Sequence, residues 1–510
     1  MIKYRYQCLK FYCFTKGKNI LECIPEYITK VLKLLSDAGG TPYIVGGAVR
    51  DLITGVEPHD YDIACDLTPS EIMEALHDHH IRLGGLIGFN FGVVVCVVDG
   101  HQVEIATFRG PAEDDESESG LERRNFSTNI EDDLSRRDFT VNAMALDSEG
   151  NVIDLYHGME DLRAKRLHPV GDPSMRYRED AVRMFRACRL VSQFGFTYAE
   201  GDRSSDVFVR KNFWEECEAR HCSRERVRKE MEKLLSGDFP DTGLTLLMTS
   251  GLINCPVAIW HKHGLSFSTP FKSLAHLEGL MQKPKYHMYD VWNHTLQAVR
   301  LASQDIKLRW AMLFHDAGKG LPAVRRIHPD TGMPTDYGHE TESARIVSEA
   351  LAALGYNDSY IREISWLVKN HMSLQFVMTA NHRQLKSWLC KKVSDFRTQK
   401  DMAAAFKDLE QIFLADLGAS RHSEEEENIL RENMAYVHLV IATQMPVHSS
   451  DLAITGDTVM QLIDGTGLEI KNIFAQLLKM VQTGNLANEE EALTAYLQEM
   501  ILRKQQEEQE

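Results

Sequence analysis

Hydrophobic positions in the first 110 residues follow two periods. Ile24, Ile28, Val31, Leu32 and Leu35 recur at helical spacing and stop at Gly39-Gly40, which predicts an amphipathic helix over 24–38. Tyr43-Ile44-Val45 reads as a short strand running into the turn Gly46-Gly47. A second strand is expected around Asp60-Tyr61-Asp62, and a helix near Ser70, with Pro69 and Glu71 as start signals. Two apolar runs, 91–98 and 101–108, meet at Asp99-Gly100, the signature of a two-residue hairpin. The first run, Phe91 to Val98, reads as a buried strand. Together these elements predict an α+β head with a small mixed sheet.

The pattern then changes. Residues 109–136 have little hydrophobic periodicity and many charges, as a solvated loop would. From about 150 onward the spacing is almost wholly helical, with few strand signals. Pro240, Pro256 and the stretch from Pro270 to Pro284 place a boundary near 260–285. The expected organisation is an extension of unknown role (1–23), a head (24–149), an all-α neck and body (150–270), a helical module over 286–420 and a helical tail (421–510). The tail ends in a Gln/Glu run that reads as frayed and solvated.

A chain of 510 residues has room for three or four such domains. No apolar run approaches the roughly 18 residues needed to span a bilayer, so no membrane role is expected. Met1 to Lys18 lacks the core of a signal peptide. Ten cysteines without a Cys-x-x-Cys pair argue against a zinc knuckle and a disulfide framework, and imply a reduced, cytoplasmic setting. The formal net charge of −17 opposes nucleic-acid binding at long range. Between Asp161 and Lys233, however, 17 Lys/Arg stand against 13 Asp/Glu, a local excess of +4. A local basic groove is enough for RNA. Part of it falls on Arg220, Arg224, Arg226, Arg228 and Lys229, on a helix that also carries Glu225, Glu230 and Glu232 and reads equally as solvated or RNA-facing.

The chemistry concentrates on Gly46-Gly47-Ala48-Val49-Arg50-Asp51 and His59-Asp60-Tyr61-Asp62. Carboxylates two residues apart on an extended segment point to one side of a sheet, where Asp60 and Asp62 can hold two divalent cations against a nucleoside triphosphate and an attacking hydroxyl. Gly46 and Gly47 offer backbone N–H groups to phosphates. Arg50 can contact phosphate, and Asp51 can equally cap a helix. The sequence therefore looks like a nucleotidyltransferase site using Mg²⁺.

These motifs, together with Arg136-Arg137-Asp138-Phe139-Thr140-Val141-Asn142-Ala143-Met144-Ala145 and Glu179-Asp180-Ala181-Val182-Arg183, resemble those of bacterial-type tRNA nucleotidyltransferases and the related poly(A) polymerases. The strong matches run from about 40 to 235. A third carboxylate commonly arrives from an adjacent strand in such sites, and Glu104 is the candidate. By local sequence Arg137 and Asp138 are an exposed Arg and a capping Asp; the resemblance makes them nucleotide-binding, through ribose and phosphate.

Taken as residues i and i+3 of one helix, Asp180 and Arg183 project together. Cytosine and adenine each present an exocyclic amine beside a ring acceptor. Asp180 can accept from the amine, and Arg183 can donate to the acceptor. Uracil and guanine would face Asp180 with a carbonyl and be repelled. In isolation a Glu179–Arg183 salt bridge is the simpler reading; the upstream motifs favour base reading. Arg186 and Arg189 continue the spacing but rotate away, so they reach phosphates or brace a neighbouring element. The resemblance places nucleotide contacts at both.

A second constellation comprises His294, His315-Asp316, His339, His371 and Asp416. Tyr286-His287-Met288-Tyr289-Asp290-Val291-Trp292-Asn293-His294 and Leu313-Phe314-His315-Asp316-Ala317-Gly318-Lys319 resemble HD-type metal-dependent phosphohydrolases. Imidazoles and carboxylates on helices suit Mn, Fe, Co, Ni or Zn. His294, His315, Asp316 and Asp416 are expected to hold one metal, with His339 and His371 holding a second or binding phosphate.

The leading expectation is an enzyme adding C, C and A to tRNA 3′ ends from CTP and ATP. The 109–136 element weakly favours full CCA addition over CC-only addition. A poly(A) polymerase and a CC-only or A-only enzyme are rivals within the same chemistry. A rival of another class is an HD-type phosphohydrolase whose head only binds RNA or nucleotide. The sequence sets no oligomeric state.

Overall fold

A computed structural model describes residues 20–79, 81–85, 92–110, 126–197, 212–217, 222–282, 288–463 and 467–507. Most of the N-terminal extension, the charged stretch 111–125, Arg220 and the last three residues lie outside these. The chain divides into two compact units. One comprises the residues up to Cys222 with Leu246–Cys255, and the other Ser223–Thr245 with Pro256–Glu510.

The first unit is built on a seven-stranded mixed sheet with order β3-β4-β5-β2-β1-β6-β7. Its strands are β1 (Tyr43–Val45), β2 (Asp62–Cys65), β3 (Arg82–Gly85), β4 (Val93–Val98), β5 (His101–Thr107), β6 (Met144–Leu146) and β7 (Val152–Asp154). All neighbouring pairs are antiparallel except β2 with β5. The β4–β5 hairpin turns at Asp99 and Gly100, both at positive φ, as a two-residue turn requires. Strand β4 alternates half-buried with buried positions, so it covers a single core rather than lying buried on both faces. Strand β3 was not expected; Arg82-Leu83-Gly84-Gly85 is too short and glycine-rich to announce itself.

One face of the sheet carries the main core of this unit. Ile44, Ile63, Val103 and Ile105 pack there with Ile28, Val31 and Leu35 of α1 (Glu26–Asp37), Val49 and Ile53 of α2 (Gly47–Thr54), and Ile72 and Leu76 of α3 (Pro69–Asp78). Helix α3 starts with Pro69 after a capping box between Thr68 and Glu71, as the start signals predict. The other face is covered more thinly. Val45, Ala64 and Ala145 meet Ile130 and Leu134 of α4 (Ile130–Ser135), a helix inside the stretch expected to be loop. Two further helices, α6 (Pro173–Glu179) and α7 (Val182–Phe194), follow α5 (Gly158–Ala164).

The second unit is predominantly helical, but it also holds two small hairpins. One pairs Arg326–Ile327 with Pro334–Thr335. The other pairs β8 (Val257–His261) with β9 (Gly264–Ser268), where the prolines predicted only a boundary. Long helices, among them Val291–Leu301, Ile306–Phe314, His339–Ala353, Asp358–Asn370 and Gln399–Ala419, enclose Trp310, Phe314, Phe406 and Phe413, all fully buried. The expected α+β head followed by helical regions is therefore present. Among the described residues no helix is long and apolar enough to cross a membrane.

Candidate active site of the head and candidate metal centre of the helical unit

Strand β2 begins at Asp62, so Asp60 lies just before it and not in the strand expected to carry both; exposure still alternates, with both aspartates exposed and Tyr61 between them buried. Asp62 opens β2 and stands opposite Glu104 of β5 and Val45 of β1. Register partners on neighbouring strands share a face, so Glu104, itself exposed, joins the aspartates. Among the described residues no hydrogen bond or ion pair to Glu104 is found. Asp60 contacts His59 at 3.1 Å. Oxygen-donor side chains suit a hard divalent cation such as Mg²⁺, but among the described residues the groups of three gathered at metal-ligand spacing lie in the helical unit and do not include Asp60, Asp62 and Glu104.

The turn after β1 shapes the edge of this face. Gly46 has φ +75, a conformation costly for any residue with a Cβ. A Cβ there would lie 2.9 Å from Arg137 Nη1 and 3.8 Å from Asp62 Oδ2. The glycine thus lets the Arg137 guanidinium approach the backbone turn beside the carboxylate. Gly47 begins α2, whose N-terminus faces the same turn.

Arg50, one helical turn on, is buried. Its guanidinium binds Asp51 Oδ1 at 2.8 Å and Asn142 Oδ1 at 2.6 Å, and lies 4.3 Å from the Phe194 ring centroid. These contacts make it a brace of the turn. Burial raises the Asp51 carboxyl above its usual range, although Arg50 and Arg189 oppose that rise.

Segment 136–142 is clamped against α6 and α7. Arg137 pairs with Asp133 at 3.0 Å. The buried Asp138 accepts from Phe139 N at 2.8 Å, Asn142 Nδ2 at 3.3 Å and Arg186 Nη1 at 2.7 Å. Burial alone would raise its carboxyl pKa, but Arg186 and these hydrogen bonds hold it below the usual carboxylate range. Arg183 donates to Arg136 O at 3.1 Å, to Arg176 O at 2.9 Å and to Glu179 Oε2 at 2.7 Å. Arg189 donates to Gln193 Oε1 at 3.2 Å.

The geometry expected for Asp180 and Arg183 needs correction. They are not on one helix. Asp180 is extended (φ −155, ψ 98) at the break between α6 and α7, and its Oδ1 accepts from Val182 N at 3.1 Å. A short aspartate competes with the helical backbone for such donors, which is why the helix stops there. The Glu179–Arg183 ion pair forms nevertheless, bridging the break.

In the second unit the six expected residues gather into two buried groups, His294–His315–Asp416 and Asp316–His339–His371, each with ligand atoms within 4.8 Å of one another. Asp316 joins the groups. Its Oδ2 lies 3.3 Å from His315 Nε2 and its Oδ1 3.1 Å from His339 Nε2. Asp416 Oδ1 is 3.1 Å from His294 Nε2. Asp316 thus faces both groups, with Oδ2 toward His315 and His294 (3.9 Å) and Oδ1 toward His339 and His371 (3.7 Å).

Local backbone orients the rings. Nδ1 of His315, His339 and His371 faces the carbonyl oxygen three residues earlier at 2.7, 2.7 and 2.6 Å, and His294 Nδ1 faces Ala419 O at 3.3 Å. A carbonyl only accepts, so each Nδ1 carries the hydrogen and Nε2 presents its lone pair inward. Yet His294 and His315 face each other Nε2 to Nε2 at 3.3 Å, as do His339 and His371. Opposed lone pairs repel unless a cation or a proton lies between them, so this donor set fits metal ions. When the rings carry a proton on Nε2 in place of a bound cation, they and Lys319 hold Asp316 well below the usual carboxylate range despite its burial, and His294 lowers Asp416 likewise.

Sequence reasoning missed two partners here. Lys319 Nζ bridges Asp316 Oδ2 at 2.7 Å and Gln282 Oε1 at 2.8 Å. Gly318 has no room for a side chain, since a Cβ would meet His339 O at 2.5 Å. The His-Asp-x-Gly-Lys string was the available signal for both.

Comparison with known proteins finds matches to the segments that carry these residues. Residues 42–168 match the poly A polymerase head domain, 218–255 the probable RNA and SrmB-binding site of polymerase A, and 285–395 the HD domain. A CCA-adding enzyme of Levilactobacillus brevis is 38% identical over 250 residues, covering 48% of this chain and 59% of that one. The match thus spans little more than half of the relative's length. The crystal structure of the Bacillus stearothermophilus CCA-adding enzyme in complex with CTP superposes with a TM-score of 0.62 at 24% identity, covering 94% of this chain and 98% of that one. The Thermotoga maritima CCA-adding enzyme complexed with tRNA gives 0.54 at 17% identity, covering 94% and 97%. The chain therefore has segments that match the poly A polymerase head domain, the probable RNA-binding site of polymerase A and the HD domain, and its fold is similar to that of the solved CCA-adding enzymes.

Proposed function

We propose that the chain is a template-independent nucleotidyltransferase that adds C, C and A to tRNA 3′ ends from CTP and ATP. The observation that carries this reading is the exposed face that Asp62 shares with Glu104, with Asp60 two residues away, beside the Gly46 turn and Arg137. Asp60 and Asp62 would hold Mg²⁺, with Glu104 as a third carboxylate. When bound, the ions supply charge neutralisation for the triphosphate and acidify the attacking 3′-hydroxyl. The chain's own residues do the positioning. Gly47, in the first turn of α2, offers its backbone N–H to the phosphates with Arg137 alongside, whereas the Gly46 N–H is taken by Met144 O at 3.3 Å and Gly46 serves the turn through its positive φ. Asp138 takes the ribose, and Arg186 fixes its carboxylate. Arg50 keeps the turn in place.

Asp180 and Arg183 read the base edge, with Arg189 and Arg186 on the same helix supporting them. Glu179 and the Arg136 carbonyl restrain Arg183, so the guanidinium is aimed before the nucleotide arrives. Asp180, released from regular helix, projects its carboxylate from a fixed break. The domain limits of the reading are those of a head, a neck and body, an HD module and a tail, and the setting is the reduced cytoplasm. A poly(A) polymerase or a CC-only enzyme would use the same head. Incubation with a tRNA ending before its CCA, followed by sequencing of the products, separates them.

A second reading concerns the HD module, and the opposed histidine pairs favour it. His294, His315 and Asp416 would hold one transition metal and Asp316, His339 and His371 another. Bound there, the metals supply Lewis acidity and an activated water for phosphoester hydrolysis, including damaged or cyclic-phosphate RNA ends. Release of the alcohol from a model phosphodiester, leaving the phosphomonoester, lost in Asp316→Ala with nucleotide addition retained, tests it.

A further inference from the structure

Hairpin β8–β9 falls between the stretch matching the RNA-binding segment and the one matching the HD domain. In this ribbon Trp260 stands opposite Leu265 and Ala258 opposite Phe267. Opposed residues share a face, so Trp260 and Phe267 are diagonal neighbours on one side. Ala258 is buried at its base, yet Trp260 is 62% and Phe267 51% exposed. Among the described residues no other tryptophan is exposed.

The ribbon ends in His261-Lys262-His263-Gly264, all exposed, and His261 Nε2 meets Ser266 Oγ at 2.7 Å across the strands. The chain carries no Asp or Glu from Thr242 to Leu277, although its net charge is −17. Lys262 and Lys272 are therefore not offset by any carboxylate within this stretch. Leaving two large aromatics in water is unfavourable unless something covers them. A flat aromatic pair beside a carboxylate-free basic tip matches nucleic acid: bases stack on the rings and phosphates meet the cations.

We propose that β8–β9 docks unpaired bases of the RNA substrate, which stack on Trp260 and Phe267 while Lys262 contacts the backbone. This rests on the reading that the substrate is RNA. Unpaired bases are required because paired ones hide their faces in the helical stack. The hairpin thus sets affinity for the RNA, and the carboxylates of the head act on its 3′ end.

The test uses the full chain, a fluorescent tRNA ending before its CCA, and the variants Trp260→Ala with Phe267→Ala, Trp260→Phe and Lys262→Ala. The double variant should raise Kd and KM for tRNA about tenfold or more with kcat unchanged, as expected when base stacking is lost. Trp260→Phe should keep most of the affinity. Lys262→Ala should lower the salt slope of log K by about 1. An unchanged Kd in the double variant overturns the proposal. So does self-association of the wild type that the double variant abolishes while tRNA affinity stays the same, since a second copy would then cover the face. A wild type that binds tRNA through the hairpin but adds no nucleotide removes the enzymatic reading and leaves this one standing.

Discussion

Arg186 Nη1 lies 2.7 Å from Asp138 Oδ2 and ties helix α7 to segment 136–142. Asp138 is buried, so removing the guanidinium strands a carboxylate in the interior. Arg186→Ala should cost about 2–4 kcal/mol of stability at neutral pH, read by urea unfolding. The pH dependence follows from the direction of the shift. A folded pKa held low contributes stability above the unfolded carboxylate value of about 4, and loses it as pH falls through the folded pKa. Without Arg186, burial dominates and the folded pKa lies above the unfolded one. The deficit of the variant should therefore shrink on acidification below about pH 5. A deficit that is constant from pH 7 to pH 4 would contradict the pairing.

Gly46→Ala tests the turn. The positive φ and the 2.9 Å approach of Arg137 make the substitution strained, at a cost on the order of 1–2 kcal/mol. Displacing Arg137 should also lower kcat/KM for nucleotide by about tenfold to a hundredfold. Steady-state kinetics at fixed tRNA measure this, and wild-type kinetics in a folded variant would refute it.

Selectivity should depend on Asp180 more than turnover does. Asp180→Ala removes the carboxylate that opposes the carbonyl of uracil, so misincorporation of UTP should rise by at least tenfold, about 1.4 kcal/mol of discrimination. Arg183→Ala should weaken CTP and ATP alike. Glu179→Ala should give a milder form of the same defect, because Glu179 only aims Arg183. Competition assays with mixed nucleotides report all three.

The metal centre makes a separate prediction. His315→Ala and His371→Ala each remove a donor from one of the two groups. Elemental analysis should show transition-metal content falling with either variant, and nucleotide addition by the head should persist. Equal metal content in wild type and variants would remove the site.

Much of this architecture was legible because it depends on local periods. The alternation Asp60-Tyr61-Asp62 follows from period two, and hairpin β4–β5 from Asp99-Gly100. Features set by distant partners were not legible. Arg50 became a brace because Asn142 and Phe194, far along the chain, close over it. Asp180 broke the helix by capturing Val182 N, a choice that spacing alone does not reveal. Hairpin β8–β9 was hidden by its mixed pattern, since only one face of its outer half is aromatic. In the HD module the ligand types were readable, but the placing of Asp316 between both histidine pairs was not.

The most direct measurement of the central claim is sequencing of a tRNA that ends before its CCA after incubation with the chain, Mg²⁺, CTP and ATP. Stepwise addition of C, C and A, falling on the order of 10³-fold in Asp62→Asn, is the predicted result. Absence of any addition by the wild type, or addition undiminished in Asp62→Asn, would contradict the account.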